Sequence, residues 1–180
     1  MPEITNAHFA AAHPELSVLI PFLRDNPAPL LDRLFSERHL RQNVEIIVLD
    51  DGTNSQSLTR ELEDRINASD IPAKLISLEK NVGRALGRNK LADSARGQFL
   101  LFLDADMLPD SSDFLETWLS FARSHAPDAA FGGLSLKQAP NDKRFAVHRS
   151  MASKSDCVPA QLRQLQPEKH LFTSNLLIRN

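Results

Sequence analysis

Asp104 and Asp106 are the residues whose type and spacing most invite chemistry. They follow five apolar residues in "QFLLFLDADMLPD", residues 98–110, and stand one residue apart. Strand side chains repeat every two residues, so an extended chain running on past Leu103 would point both carboxylates the same way. Two like charges that close are costly unless a cation joins them. Oxygen-only ligands suit a hard divalent ion such as Mg²⁺ or Mn²⁺, which keeps several waters and is completed by substrate phosphate. The plainer alternative is that Asp104 caps a turn and Asp106 is solvated. Position straight after a buried strand favours the first. Along the chain, Lys80–Arg96 carries five basic residues and one acid, and Gly97–Ala122 carries five acids and no Lys or Arg. Such a pairing suits a site that holds an anion beside a metal ion, although two solvated faces would have the same composition.

The elements that must position these acids alternate. "LSVLIP" reads as a buried strand bounded by Pro21, "VEIIVLD" as a second ending at Asp50, "AKLISLE" as a third and "QFLLFLD" as a fourth. Between them lie helical patterns. "DNPAPLLDRLFSERHL" has Asn26 as N-cap and proline in its first turn. Leu58, Leu62 and Ile66 mark one helix face, and "NVGRALGRNKLADSARG" is expected to close at Gly97. Asp113 with Glu116 is expected to form a capping box for a helix through Trp118 and Ala122. Strand alternating with helix implies an α/β fold with a mostly parallel central sheet and helices on both faces. Strands buried on both sides explain continuous runs such as "FLLFL". Later, "AAFGGLSL" and "HLFTSNLLIR" read as strands and "RFAVHRSMASK" as a helix. Residues 1–15 lack a clear period and are expected to form a loosely held N-terminal arm before a domain over residues 16–180.

Composition sets the outer bounds. With 180 residues, 42% of them hydrophobic and 24% charged, the chain has ordinary globular usage. A chain of that size buries roughly 70% of its unfolded surface. The single cysteine, Cys157, cannot close an internal disulfide and is compatible with a reducing compartment. No run approaches a membrane span and no secretory signal stands at the N-terminus, so the cytoplasm is the expected location, with contact at the inner membrane face left open. His148 and His170 are isolated, Ser174 lacks a hydrolase pattern, and "GRALGRN" is neither a dinucleotide fingerprint nor a phosphate loop with its lysine. Phe99, Phe102 and Trp118 read as core.

Four blocks, "SVLIPFLRDN", "VEIIVLDDGTNS", "NVGRALGRNKLADSARGQFLLFLDADMLP" and "FTSNLLIRN", together resemble a glycosyltransferase family 2 domain with the Rossmann-like GT-A fold, in the same order and at similar separations. The resemblance covers about residues 16–180. It implies transfer of a sugar from a nucleotide diphosphate donor, usually UDP-linked, to a glycan or lipid-linked acceptor hydroxyl with inversion, aided by Mn²⁺ or Mg²⁺. Carried onto this sequence, it implies that Pro21 and Phe22 border the nucleotide and that Asp50, in preference to Asp51, reads the base. Gly52 then permits the turn after the strand, and Arg88 lies near the base and phosphates. Asp104 touches the ribose and shares the metal, and Asp106 is the principal metal ligand. Nucleic acid is not an implied partner. The general base of the family lies downstream of a segment like "FTSNLLIRN", so it is expected beyond Asn180, in a longer enzyme. A binding module without turnover is the alternative, and a nucleotidyltransferase is a weaker one because "IPFLRDNPAP" is poor in glycine.

Overall fold

The four apolar runs become the parallel centre of a seven-stranded sheet in the computed structural model, which describes residues 2–139 and 142–180. The strands are β1 (Glu3–Thr5), β2 (Leu16–Phe22), β3 (Val44–Asp50), β4 (Ala73–Ser77), β5 (Phe99–Leu103), β6 (Ala129–Phe131) and β7 (Asn175–Arg179). Their spatial order is β1-β4-β3-β2-β5-β7-β6. β4, β3, β2 and β5 run parallel, and β1, β7 and β6 join antiparallel at the flanks.

The continuous apolar runs conceal a period of two. Val18 and Ile20, Ile46 and Val48, Leu101 and Leu103 share one core with Leu30, Leu31 and Leu34 of α1 (Ala28–Phe35), Leu62 and Ile66 of α2 (Gln56–Ala68), and Leu115 and Leu119 of α4 (Phe114–His125). Leu19, Ile47, Leu49, Leu100 and Phe102 face the other way, onto Leu91 of α3 (Arg84–Ser94) and Phe9. Each leucine or isoleucine so buried contributes about 1.5–3 kcal/mol. α5 (Ala146–Ser155) and α6 (Ala160–Arg163) precede β7 and bury little: of their residues only Ala152 is buried. No helix among the described residues is long and apolar enough to cross a membrane.

Four local expectations are corrected. Residues 2–15 are tied down: β1 pairs with β4, Phe9 is buried, and the Asn6 side chain donates to the carbonyls of Ile66, Ser69 and Ile71 while accepting from Ala73 N. Pro21 does not end its strand. The ladder to β5 stops at Leu19↔Phe102, so a missing N–H beyond it costs little. Gly97 is not a left-handed cap. α3 ends through extended Ala95, and Gly97 is there because an added Cβ would lie 2.7 Å from Ser17 N. Asp113 precedes α4 without capping it; the buried Glu37 carboxylate instead accepts from Leu115 N (2.9 Å) and Glu116 N (3.0 Å).

Candidate functional site

At the carboxyl ends of β2, β3 and β5 the chain opens a cleft of about 430 Å³, lined by Pro21, Phe22, Leu23, Asp25, Asp51, Asn81, Gly83, Arg84, Gly87, Arg88, Asp104, Ala105 and Asp106. Its position follows from topology. β2, the first parallel strand, has β3 on one side and β5 on the other, so the chain leaves β2 toward β3 and leaves β5 toward the opposite flank, and the two loops part. Ligands of open α/β sheets bind at such a point.

Asp104 and Asp106 share this cleft, but not by strand parity. β5 stops at Leu103, and Met107 N donates to Asp104 O (3.1 Å) in a turn that places buried Ala105 between two more accessible acids. The Asp104 amide is held in turn by the Ser174 carbonyl, just before β7 (3.3 Å). The expected extension of the strand is thereby replaced by a turn that still brings both carboxylates to one cavity.

Arg88, on the second turn of α3, reaches Asp104. Its Nη2 donates to Asp104 Oδ1 at 2.6 Å, its Nη1 donates to the Arg84 carbonyl at 3.4 Å, and its side chain is only 16% exposed. The Nε–H is buried and has no hydrogen-bond partner among the described residues. A guanidinium offers Nε–H and Nη–H as a planar fork suited to carboxylate or phosphate.

Asp50 and Asp51 stand the other way round from the sequence expectation. Asp50 continues the parity of Ile46 and Val48, lies on the α2 side beside Asn54, Gln56 and Thr59, and its Oδ1 accepts from Thr53 N (2.8 Å). Asp51 continues the parity of Ile47 and Leu49 toward α3, and it lines the cleft. Its carboxylate accepts from Val82 N (2.7 Å) and Gly83 N (3.1 Å), fixing the loop that leads into α3. Gly52 stays outside the cleft lining. Its φ of +87° makes the turn, and an added Cβ would lie 2.7 Å from Asn81 N. The parity of the "VEIIVLDD" run is the signal that distinguishes the two acids.

The donor set is compatible with a hard divalent cation. Two carboxylates supply oxygen ligands, and among the described residues no group of three acidic, histidine or cysteine side chains forms a closed protein cage. Mg²⁺-type ions are commonly held by one or two carboxylates, with waters and phosphate oxygens completing the shell.

Across the same turn lies a second pocket of about 250 Å³, with Leu103, Met107, Leu108, Pro109 and Phe114 on its apolar walls and Asp110, Arg163, Ser174 and Asn175 as polar groups. Asn175 organises it, accepting from Trp118 Nε1 (3.2 Å) and donating to the Gly133 carbonyl (3.0 Å). Phe99, Phe102 and Trp118 are buried as expected.

Comparison with known proteins agrees with this fold. The family described as Glycosyl transferase family 2 matches residues 17–179. The polypeptide N-acetylgalactosaminyltransferase 3 of Drosophila melanogaster is 33% identical over 109 residues, 58% of this chain and 16% of that protein. The putative teichuronic acid biosynthesis glycosyltransferase TuaG of Bacillus subtilis is 30% identical over 129 residues, 68% of this chain and 48% of that protein. Among solved structures, S. aureus TarS 1-349 in complex with UDP-GlcNAc superposes with a TM-score of 0.56 at 25% identity, covering 70% of this chain and 37% of that one. The mannosyltransferase PcManGT from Pyrobaculum calidifontis shares the fold with a TM-score of 0.56 at 20% identity, over 70% of this chain and 37% of that one. The chain therefore spans less than half the length of each of these proteins.

Proposed function

The chain belongs to glycosyl transferase family 2, and from that premise we propose that it binds a nucleotide diphosphate sugar, UDP-linked, and serves its transfer to an acceptor hydroxyl with inversion at the anomeric carbon. The observation that carries this reading is the sharing of one cleft by Asp104, Asp106 and Arg88 where the loops after β2 and β5 part. The UDP-GlcNAc complex of TarS, a protein of the same fold, supports the choice of donor class.

In this reading Pro21 and Phe22 border the nucleotide, and Asp51 takes the base contact, because an acceptor-only carboxylate suits an imide N–H and Asp51 faces the cleft. Gly52 shapes the turn behind it. Arg88 faces the diphosphate, Asp104 the ribose and the cation, and Asp106 the cation. Mn²⁺ or Mg²⁺, which Asp104 and Asp106 would hold, would supply Lewis-acid stabilisation of a departing diphosphate. The protein groups prepare for that departure: Arg88 brings a fixed positive charge, and Asp51 holds the loop before α3 by its two amide contacts. The acceptor, a glycan or a lipid-linked sugar, is assigned to the pocket beyond the Asp104–Met107 turn, which shares that turn with the donor cleft.

Calorimetric titration of UDP in the presence of Mn²⁺ tests the reading. Saturable heat of binding is expected for the folded chain, reduced at least about ten-fold in affinity by Asp106→Asn, in keeping with the loss of a charged ligand contact. A folded chain that gives no heat with UDP and Mn²⁺ contradicts it.

A further inference from the structure

Asp104 is engaged by an arginine on the carboxylate that the donor reading gives to a cation, and this has a consequence for the order in which ligands settle. Arg88 Nη2 lies 2.6 Å from Asp104 Oδ1, so a fixed positive charge already engages one oxygen of the carboxylate that the donor reading gives to a cation. The pose is only partly satisfied: Nη1 makes a long contact of 3.4 Å to its own helix, and the buried Nε–H has no hydrogen-bond partner among the described residues. A guanidinium engaged on both Nε and Nη would instead need a forked acceptor, and phosphate oxygens provide one.

Resting on the donor reading above, we infer that Arg88 and the divalent cation exchange places on Asp104. Without ligands, Arg88 neutralises Asp104 and so weakens the pull that the two neighbouring carboxylates would otherwise exert on cations. Metal arriving with a nucleotide diphosphate displaces the guanidinium from Asp104. The diphosphate receives it on Nε and Nη, which pairs the donor left unpartnered. Metal and nucleotide therefore bind as a pair, each raising the affinity for the other, because neither alone both displaces Arg88 and gives it a new partner. A purely structural ion pair would not pass its guanidinium to the nucleotide: breaking it would lower stability and leave UDP affinity at saturating Mn²⁺ unchanged.

The test measures binding, not turnover. Mn²⁺ is titrated by calorimetry into the 180-residue chain and into Arg88→Gln, each with and without UDP. Arg88→Gln is expected to bind Mn²⁺ alone roughly ten-fold more tightly than the wild type, and to bind UDP at saturating Mn²⁺ roughly ten-fold more weakly, both within the usual span of coupling between sites. If the variant binds Mn²⁺ alone no better while the wild type still takes up UDP with Mn²⁺, the exchange is refuted and the donor site stands. If the wild type takes up neither together, the donor reading fails and the exchange fails with it. Should Arg88→Gln not fold, the wild type carries the test by nuclear magnetic resonance. Its Arg88 side-chain signals must shift on addition of Mg²⁺ and UDP, and signals that stay put at saturation refute the exchange.

Discussion

Asp50 and Asp51 are adjacent in the chain and serve opposite faces of one sheet. The acid on the α3 face looks into the cleft, and the acid on the α2 face holds the Thr53 amide. Replacing Asp51 by Asn puts an NH₂ group where one of two loop amides now finds an oxygen. A lost buried acceptor of this kind costs about 1–3 kcal/mol. Asp51→Asn is therefore expected to lower thermal stability by that amount and to weaken UDP binding about ten-fold, the equivalent of roughly 1.4 kcal/mol. Asp50→Asn should disturb the Thr53 turn and leave UDP affinity within about two-fold, since Asp50, though buried, stays outside the cleft lining. Paired melting curves and UDP titrations on the two variants check this, and the reverse ranking would return the base contact to Asp50. The residue types at this site were legible in the sequence, because an apolar run that ends in acids marks the carboxyl edge of a sheet. The choice between neighbours was not, since it depends on which face receives α3.

At the scale of elements, four parallel strands and their helices were readable from apolar periodicity, and so were their approximate ends. What escaped were the devices that join elements distant in sequence. The N-terminus of α4 illustrates this: "DFLE" has the spacing of a capping box, yet Asp113 caps nothing and Glu116 contacts His39 at 3.2 Å. The cap comes from Glu37, 78 residues before Leu115, whose two carboxylate oxygens accept from the first amides of the helix. A carboxylate there also meets the positive end of the helix dipole. Local spacing cannot announce a cap delivered from another loop. Glu37→Ala leaves two amides without acceptors at a buried position, so it should destabilise the protein by about 1–3 kcal/mol, whereas Asp113→Ala should stay within about 0.5 kcal/mol. Chemical denaturation of the two variants decides it; equal losses would mean that Asp113 does cap α4 in solution.

For the molecule as a whole, residues 2–15 show how polar contacts bind a segment that has no hydrophobic period. Asn6 bridges β1 to the α2–β4 connection, and the Arg96 guanidinium stacks 4.1 Å from the Phe9 ring while pairing with fully buried Glu45. Beside this lies Glu15, which holds the entry of β2 to Asn43 and to Arg123 of α4. The Arg123 guanidinium, hydrogen-bonded to it, keeps the Glu15 carboxyl below the ordinary glutamate range, with Asn43 assisting and partial burial opposing. A carboxyl depressed in the folded state binds protons more weakly there than in the unfolded chain. Its contribution is therefore complete at neutral pH and disappears as pH falls through the folded value. Both side chains are more than a third exposed, which limits the pair to no more than about 1 kcal/mol after solvent screening. Glu15→Gln should accordingly melt slightly below the wild type at pH 7, and the gap should close as the pH is taken below the glutamate range. It should also narrow at 1 M salt, where the Debye length shrinks to about 3 Å. Melting temperatures across that pH series are the measurement, and a gap that widened toward acid would mean that Glu15 is stabilised in its protonated form, against the direction its arginine partner imposes.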